Sequence, residues 1–163
     1  MPDPVAEPRD YRDVVGHFAT GVAVVTGHGP RGPVGLTTNA VTSLSLEPRL
    51  LLVCFDLTSR TLQTVRETGR FAVNVLRIGQ EDVAHRFASK APPEEKFAGV
   101  EFTLEHEVPL LDDALAWVTC EVLELRPGGD HEIGIGTVTS ARHADGDPLV
   151  FFRGGYRALS DSF

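Results

Sequence analysis

The sequence predicts a single domain that is mainly β with peripheral helices, and three observations point to this class. About seven short β-branched or apolar runs are separated by turns rich in Gly, Pro and Asp. Helical periodicity is confined to a few short stretches, and strands and helices do not alternate regularly. The chain has 163 residues, of which 42% are hydrophobic, as expected for one domain with its own core. An antiparallel barrel is therefore favoured over a doubly wound sheet.

The N-terminal part predicts a tail followed by a helix. Residues 1–9 are polar and Pro-rich, so we expect a flexible tail before a domain spanning residues 10–163. Asp10 is a suitable N-cap, and Gly21 ends the helical pattern. The apolar residues at helical spacing are Tyr11, Val14, Val15 and Phe18.

The strands and the remaining helices follow in order. Val22–Thr26 and Val34–Leu46 predict a hairpin around a turn-rich segment, with Val41 as a candidate bulge. Leu50–Phe55 is continuously apolar, as in a central strand. Further strands are predicted over residues 71–75, 100–105, 114–125, 133–139 and 149–152, and further helices over residues 59–69 and 80–88. Residues 89–96 are predicted to form a Pro-containing loop.

Composition limits the partners. The net charge of −8 and the pI of about 5.2 argue against nucleic acid or an anionic membrane as the main partner. No run approaches the ~18 apolar residues of a membrane span, and the N-terminus lacks an apolar signal core, so we expect a cytoplasmic protein. Cys54 and Cys120 lie in apolar strands and are interpreted as buried hydrophobes. The six histidines show no metal-ligand spacing, so no metal site is predicted.

Two polar clusters flank the central strand. Ser59, Arg60 and Thr61 stand where a helix begins, and such a start offers unpaired N–H groups to a phosphate. The alternative is an ordinary N-cap beside an exposed arginine. The second cluster is the run Thr37-Thr38-Asn39-Ala40. Its hydroxyls and amide need partners, which a heteroaromatic ligand with carbonyls and ring nitrogens would provide. A solvent-facing strand explains it equally well.

His131 is the one histidine with a suggestive setting. It follows a Gly-Gly-Asp turn and precedes a Gly-spaced strand, and Asp130 is placed to orient its ring. The alternative is a solvated turn histidine. No serine has a nucleophile-elbow context, and Asp112 and Asp113 are too close in sequence for paired acid–base work, so a hydrolase is disfavoured.

Several motifs in order carry a resemblance. They are FATGVAVVTG (18–27), TTNAVTSLSLEPRLLLVCFD (37–56), SRT (59–61), FAVNVL (71–76), RFA (86–88), KFAGV (96–100), GDHEIGIG (129–136) and PLVFFRGGY (148–156). The chain resembles the flavin reductase domain family, and within it the small reductase components of two-component flavin-dependent monooxygenases. The resemblance implies a split β-barrel with a Greek-key core, of the FMN-binding type, assembled as a homodimer. It also implies reduction of FAD or FMN by NADH or NADPH and transfer of reduced flavin to a partner monooxygenase.

The resemblance also implies roles for individual residues. The flavin ring would lie along Thr37, Thr38, Asn39, Ala40 and Val41, with the neighbouring strand end formed by Cys54, Phe55 and Asp56. Ser59, Arg60 and Thr61 would hold the flavin phosphate. His85, Arg86 and Phe87 would lie near the flavin tail. The nicotinamide side would be His131, the catalytic candidate that holds the dinucleotide over the flavin, together with Arg153, Gly154, Gly155 and Tyr156.

Several alternatives remain open at this point. The phosphate residues do not separate FAD from FMN. NADH is favoured over NADPH because no arginine pair stands near His131 for a 2′-phosphate. A flavin-binding electron-transfer or sensor protein that holds its flavin permanently is the alternative function, and a non-catalytic interaction module is a third. The strand face that carries Trp117 is a candidate dimer contact.

Overall fold

The structure is a computed structural model that describes residues 8–160, and it is mainly β with few helices, as predicted. The helices are α1 (Pro8–Val15), α2 (Arg60–Thr68), α3 (Glu81–Ala88) and α4 (Pro93–Phe97). The strands are β1 (Thr20–Gly21), β2 (Ala23–Gly29), β3 (Gly32–Thr38), β4 (Val41–Leu46), β5 (Arg49–Asp56), β6 (Arg70–Val75), β7 (Phe102–Glu105), β8 (Val108–Leu111), β9 (Ala116–Gly128), β10 (His131–His143), β11 (Val150–Phe152) and β12 (Gly155–Arg157). The predicted tail lies, apart from Pro8 and Arg9, outside the described residues.

Seven antiparallel strands form the main sheet, in the order β3–β2–β6–β9–β10–β5–β4. Its two edge strands, β3 and β4, are consecutive in the chain and are not hydrogen-bonded to each other, so the sheet is not closed into a barrel. Beside it, β1, β11 and β12 form a three-stranded sheet, and β7 pairs with β8. None of the helices in residues 8–160 is long and apolar enough to cross a membrane.

The prediction of one strand over Val34–Leu46 is wrong, because the chain changes edge at Asn39. Thr38 Oγ1 accepts a hydrogen bond from the Ala40 main-chain N at 3.0 Å and turns the chain out of β3. The Ala40 carbonyl then accepts from the Cys54 main-chain N at 3.0 Å, which aligns β4 beside β5. The expected bulge is not at Val41, since the register shift falls between Ser43 and Ser45. One extended pattern therefore supplies both edges of the sheet.

The core beneath the sheet depends on two glycines of β10. A Cβ at Gly134 would lie 2.6 Å from a ring carbon of Phe55, and one at Gly136 would lie 2.7 Å from Phe71. Both phenylalanines are fully buried and pack edge to face, with ring centroids 5.7 Å apart. The glycines are therefore needed so that two aromatic rings can lie directly against the backbone of β10.

The small β7–β8 hairpin is held to the main sheet by a buried polar network. Asn74 Nδ2 donates to the Val24 carbonyl at 3.0 Å, and Asn74 Oδ1 accepts from the Leu111 main-chain N at 2.8 Å. Thr26 Oγ1 donates to the Pro109 carbonyl at 2.5 Å. Each of these groups is buried and satisfied, so the network stabilises the position of β8, a strand that hydrophobic periodicity alone did not predict.

The strand face that carries Trp117 stays a candidate dimer contact. Trp117 is half-buried, its Nε1 donates to the Leu111 carbonyl at 2.7 Å, and Arg142 lies 5.2 Å from its ring centroid. Further along β9, Leu123 is 61% exposed. In addition, residues 93–97 form the short helix α4 in place of the predicted loop, with Pro93 in its first turn, where proline is well tolerated.

Candidate functional site

Two neighbouring cavities lie between β3 and β5. The first, which we call the groove, has a volume of about 780 Å³ and is lined by the segment 38–42, by Cys54 and by residues 18–23. The second, which we call the phosphate cavity, has a volume of about 510 Å³ and is lined by residues 34–37, by residues 58–61 and by residues 87–91. Cys54 lines the groove and Asp56, two residues on along the same face of β5, lines the phosphate cavity, so the two cavities follow each other along this strand.

The start of α2 shapes the phosphate cavity. Ser59 is the N-cap, and its Oγ accepts a hydrogen bond from the Leu62 main-chain N at 3.1 Å. This leaves the hydroxyl proton of Ser59 free to be donated, while Arg60 and Thr61 begin the helix on the cavity wall. An N-terminus of this kind favours an anion, because its main-chain N–H groups lack partners within the helix.

Two lysines complete this wall, and the sequence interpretation missed both. Lys90 and Lys96 are the only lysines among the 15 basic residues of the chain, and both line the phosphate cavity with Arg60. Lys96 Nζ donates to the carbonyls of Phe87 at 3.0 Å and Gly35 at 3.3 Å. Burial, followed by the charges of Arg60 and Lys90, lowers the pKa of Lys96. The restriction of lysine to these two positions was the available sequence signal.

Asp56 is the carboxylate at the edge of this cavity, and its charge is already satisfied by its own turn. It accepts from Thr58 Oγ1 at 2.6 Å and from the Thr58 main-chain N at 2.7 Å. These two hydrogen bonds are the main cause that lowers the pKa of Asp56, and the charges of Lys90 and His131 add to it. Asp56 therefore stays ionised and shapes the loop that leads into α2.

His131 lies beside this end of β5. It is directly opposite Asp56 in the β5–β10 ladder. His131 Nδ1 is 2.7 Å from Asp130 Oδ1, and since a carboxylate can only accept, Nδ1 is the nitrogen that donates. The expected orienting contact from Asp130 is therefore present, and it leaves Nε2 as the nitrogen that can face a ligand.

The structure places some predicted residues away from both cavities. The Phe55 side chain is fully buried against Phe71, because alternate residues of a strand point to opposite faces and its neighbours Cys54 and Asp56 take the cavity side. Phe87 does line the phosphate cavity, yet its ring packs on Phe97 with centroids 4.9 Å apart.

A third group forms a cluster of its own. His85 packs edge-on against Tyr156, with ring centroids 4.9 Å apart, while the guanidinium of Arg86 donates to the Ala98 carbonyl. The Arg153 main-chain N donates to the Gly16 carbonyl at 2.8 Å, and Gly154 and Gly155 complete the β11–β12 turn. Among the described residues, none of this group lines either cavity, and the structure does not join it to His131. The group adjoins β11, the strand that pairs with Thr20 and Gly21 of the groove wall.

The two cysteines are unreactive in this setting. Cys54 is half-buried in the groove wall, and burial raises the pKa of its thiol. Cys120 is buried in the core, where burial raises the pKa to about 12. Both thiols stay protonated near neutral pH. Cys120 is a buried hydrophobe as predicted, whereas Cys54 is only half-buried.

Comparison with known proteins shows which family contains a domain of this kind. Residues 15–160 match the family model described as "Flavin reductase like domain". The chain belongs to the flavin reductase like domain family. The match spans both cavities and the His131 strand, so they are parts of one family domain.

Individual proteins that are similar to this flavin reductase like domain support the same family membership. A protein of Rhizobium meliloti (strain 1021) is 44% identical over 154 residues, which cover 93% of this chain and 49% of that protein, so the chain spans about half of that relative. The "Flavin-dependent monooxygenase, reductase subunit HsaB" of Mycobacterium tuberculosis (strain CDC 1551 / Oshkosh) is 40% identical over 157 residues, covering 94% and 83%. The solved structure of the NADH:FAD oxidoreductase SgcE6 of Streptomyces globisporus C-1027 superposes with a TM-score of 0.87 at 35% identity, and the match covers 98% of this chain and 99% of that one.

Proposed function

We propose that this protein is a flavin reductase that reduces FAD or FMN with NADH and supplies the reduced flavin to a separate monooxygenase. The observation that carries the proposal is the phosphate cavity. In a chain of net charge −8, Arg60, Lys90 and Lys96 line one cavity. Among the described residues, none of the three forms an ion pair with a carboxylate. Unpaired cations at a helix start suit the phosphate that FMN and FAD share.

The groove fits the rest of a flavin. Its volume of about 780 Å³ lies within the range of ~300–1,000 Å³ typical of ligand sites. In the described part of the chain, Thr20 Oγ1 is the buried side-chain oxygen without a hydrogen-bond partner, and Thr20 lines this groove. An orphaned hydroxyl of this kind supports a ligand with polar ring atoms. Thr38, Asn39, Ala40 and Val41 would lie along its ring, with Cys54 on the neighbouring strand.

The protein's contribution to the reaction is binding and alignment. When bound, the nicotinamide and the flavin together supply the hydride chemistry, so the chain needs no nucleophile. Ser59, Arg60 and the two lysines hold the phosphate end, which fixes how far the ring extends into the groove. His131, oriented through Nδ1 by Asp130, offers Nε2 to the nicotinamide dinucleotide and positions it.

We further propose a homodimer in which α1 meets the second copy. The apolar stripe of α1 and its C-terminal extension is open to solvent, with Tyr11 62%, Val14 70% and Phe18 79% exposed. An exposed apolar stripe of this size is typical of an interface. Val15 and Phe18 also line the groove, so the same contact would shield the groove mouth from water.

We also propose that the main sheet curls into a split barrel, with its two edge strands brought near each other. Only Asn39 and Ala40 separate its edge strands β3 and β4, so the facing ends of these strands lie within about 11 Å of each other. Such a curl would place the groove and the phosphate cavity in the gap between the edges. An experimental structure in which the edges diverge from that point without curling would exclude it. The reductase domain would span the predicted residues 10–163 together with Pro8 and Arg9, where α1 begins.

One experiment tests the function directly. The consumption of NADH and of NADPH is followed with FMN, FAD and riboflavin in turn, and reduced flavin is detected by its reaction with oxygen. We expect turnover with NADH and at least one of the two phosphorylated flavins, and weaker binding of riboflavin because it lacks the phosphate. No turnover with any pairing would refute the reductase proposal.

A further inference from the structure

A third cavity lies beyond Arg60, next to the groove and the phosphate cavity, and the proposed binding of the flavin ring and its phosphate does not occupy it. Its volume is about 530 Å³. One wall is the β2–β3 turn, a second is the outer side of α2, and a third is the start of α4. The residues that characterise it are Pro30, Pro33, Gln63, Pro92 and Glu94. We call it the proline groove.

The proline groove is continuous with the phosphate cavity. Val34, Arg60 and Pro93 line both, so the Arg60 side chain stands at the boundary between them. The groove, the phosphate cavity and the proline groove therefore follow one another along the protein, with the cations in the middle. A ligand with a ring at each end and phosphates between them has the same order of parts.

We propose that the proline groove binds the adenosine half of FAD and lets the protein distinguish FAD from FMN. This inference rests on the proposed flavin reductase function. The rigid rings of Pro30, Pro33 and Pro92 give flat apolar surfaces on which a purine can lie. Gln63 and Glu94 are exposed on two of the walls and supply donors and acceptors for the edge of the base or for the ribose.

The charge pattern agrees with this order. Arg60 faces both cavities, so it can contact the flavin phosphate and the adenosine phosphate of a pyrophosphate at the same time. At the far end of the proline groove, Arg31 pairs with Glu67 at 3.7 Å, which leaves little net charge there. A neutral adenosine fits beyond the cations better than another anion does.

The proline groove is not placed to bind the nicotinamide dinucleotide. Within the described residues, it is lined by no residue of the β9–β10 hairpin, the element that carries His131. His131 instead lies opposite Asp56, on the β5 side of the phosphate cavity. The adenosine of FAD and the nicotinamide dinucleotide therefore approach from different sides.

The test is a pair of variants at Gln63, an exposed position on α2. Gln63→Trp fills the proline groove, and Gln63→Ala is the matched control that adds no bulk. The dissociation constants of oxidised FAD and FMN are measured by quenching of flavin fluorescence, without turnover. For Gln63→Trp we expect the FAD constant to rise by about tenfold or more while the FMN constant changes by less than about twofold. Gln63→Ala should change the FMN constant by no more than that and raise the FAD constant by less than Gln63→Trp does.

Each outcome decides the proposal. A change for FAD alone supports it, including tighter binding if the indole stacks on the adenine. An unchanged FAD constant overturns it, as does an equal change for FMN, which would mean that the phosphate cavity had been disturbed. A rise in the KM for NADH at saturating FMN would instead show that the proline groove binds NADH. If Gln63→Trp does not fold, Glu94→Trp carries the same test from the opposite wall. Wild-type turnover with FMN separates failure of this inference from failure of the proposed function.

Discussion

Lys96 donates through Nζ to the main-chain carbonyl of Phe87, 3.0 Å away, and this contact fixes a cation in the wall of the phosphate cavity. A second hydrogen bond, to the Gly35 carbonyl, joins α4 to β3 through the same ammonium group. Half-burying an ammonium without a carboxylate is costly, and the carbonyls offset only part of that cost. A site that holds such a cation beside two others is prepared for an anion.

The first prediction concerns that cation. Lys96→Met keeps the aliphatic length and removes the charge, so the dissociation constant of FMN should rise by about tenfold to a hundredfold, as expected for a lost charge-assisted hydrogen bond. Riboflavin, which has no phosphate, should bind as it does to the wild type. Fluorescence titrations of both flavins measure this. Arg126→Met is the control, since Arg126 pairs with Glu124 at 2.7 Å on β9 and lines neither cavity. Equal losses for FMN and riboflavin would contradict the assignment.

The second prediction is a pH dependence of FMN binding. Burial lowers the pKa of Lys96 below its ordinary value of 10.5, and a bound phosphate favours the charged form and raises that pKa again. Binding should therefore take up protons in the alkaline range and weaken as the pH rises through the lowered pKa. Titration calorimetry in buffers of different ionisation enthalpy measures the uptake. Lys96→Arg, whose guanidinium stays charged, should flatten the alkaline limb, and an unchanged limb in that variant would exclude Lys96 as its source.

The lowered pKa of Lys96 has the opposite effect on folding stability in the absence of ligand. Because the pKa of Lys96 is lower in the folded state, the unfolded chain binds more protons between the lowered pKa and 10.5. The contribution of Lys96 to the free energy of unfolding therefore becomes more favourable as the pH rises through that interval. Ligand binding and folding stability thus respond to alkaline pH in opposite directions at this one residue.

The third prediction concerns His131. If its Nε2 positions the nicotinamide dinucleotide, His131→Ala should raise the KM for NADH by about tenfold, the effect of one lost hydrogen bond of ~1.4 kcal/mol, and leave the dissociation constant of FMN unchanged. Asp130→Ala should give a smaller effect in the same direction, because it removes only the group that orients the ring. Steady-state kinetics at saturating FMN measures both. An unchanged KM together with unchanged turnover in His131→Ala would rule out this role.

The sequence predicted the elements better than their arrangement. Periodicity located the central strand and the helix that starts at Arg60, since each is a local pattern with its own cap or turn. It missed the change of edge at Asn39 because the apolar pattern continues across it, and only a hydroxyl–backbone contact and the register of β5 reveal the break. It also missed β8, whose place depends on Asn74, a residue distant in the chain.

In the candidate site, too, residues in local patterns could be predicted, and residues that meet only through long-range packing could not. Ser59, Arg60 and Thr61 could be predicted because a helix N-terminus is a local feature. Lys90 and Lys96 could not be assigned from local patterns, because their side chains meet Arg60 only after α3 and α4 pack on β3. Residues 153–156 carried a strong motif, yet they line neither the groove nor the phosphate cavity, and their role on the nicotinamide side stays a prediction.

The fourth prediction tests the buried network. Asn74→Ala removes the partners of the Leu111 main-chain N and the Val24 carbonyl, both inside the core. Leaving such groups unsatisfied should lower the free energy of unfolding by about 2–4 kcal/mol, measured by urea denaturation. Asn39→Ala is the control, because its exposed side chain should contribute within about 0.5 kcal/mol. A loss below about 1 kcal/mol in Asn74→Ala would show that the network is replaceable.

The last prediction concerns the stripe on α1. Val14 is 70% exposed and central in the stripe, so an isolated monomer would present Val14 and its neighbours to water. If a second copy covers them, Val14→Glu buries a carboxylate in an apolar contact, and the mass measured by light scattering should fall from that of a dimer toward the 17.6 kDa of one chain. Arg12→Glu, which changes charge on the same helix outside the stripe, should remain dimeric. Because Val15 and Phe18 also line the groove, the monomer should bind flavin more weakly. A wild-type protein that is monomeric at micromolar concentration would refute the homodimer, and a Val14→Glu variant that stays dimeric would place the interface elsewhere.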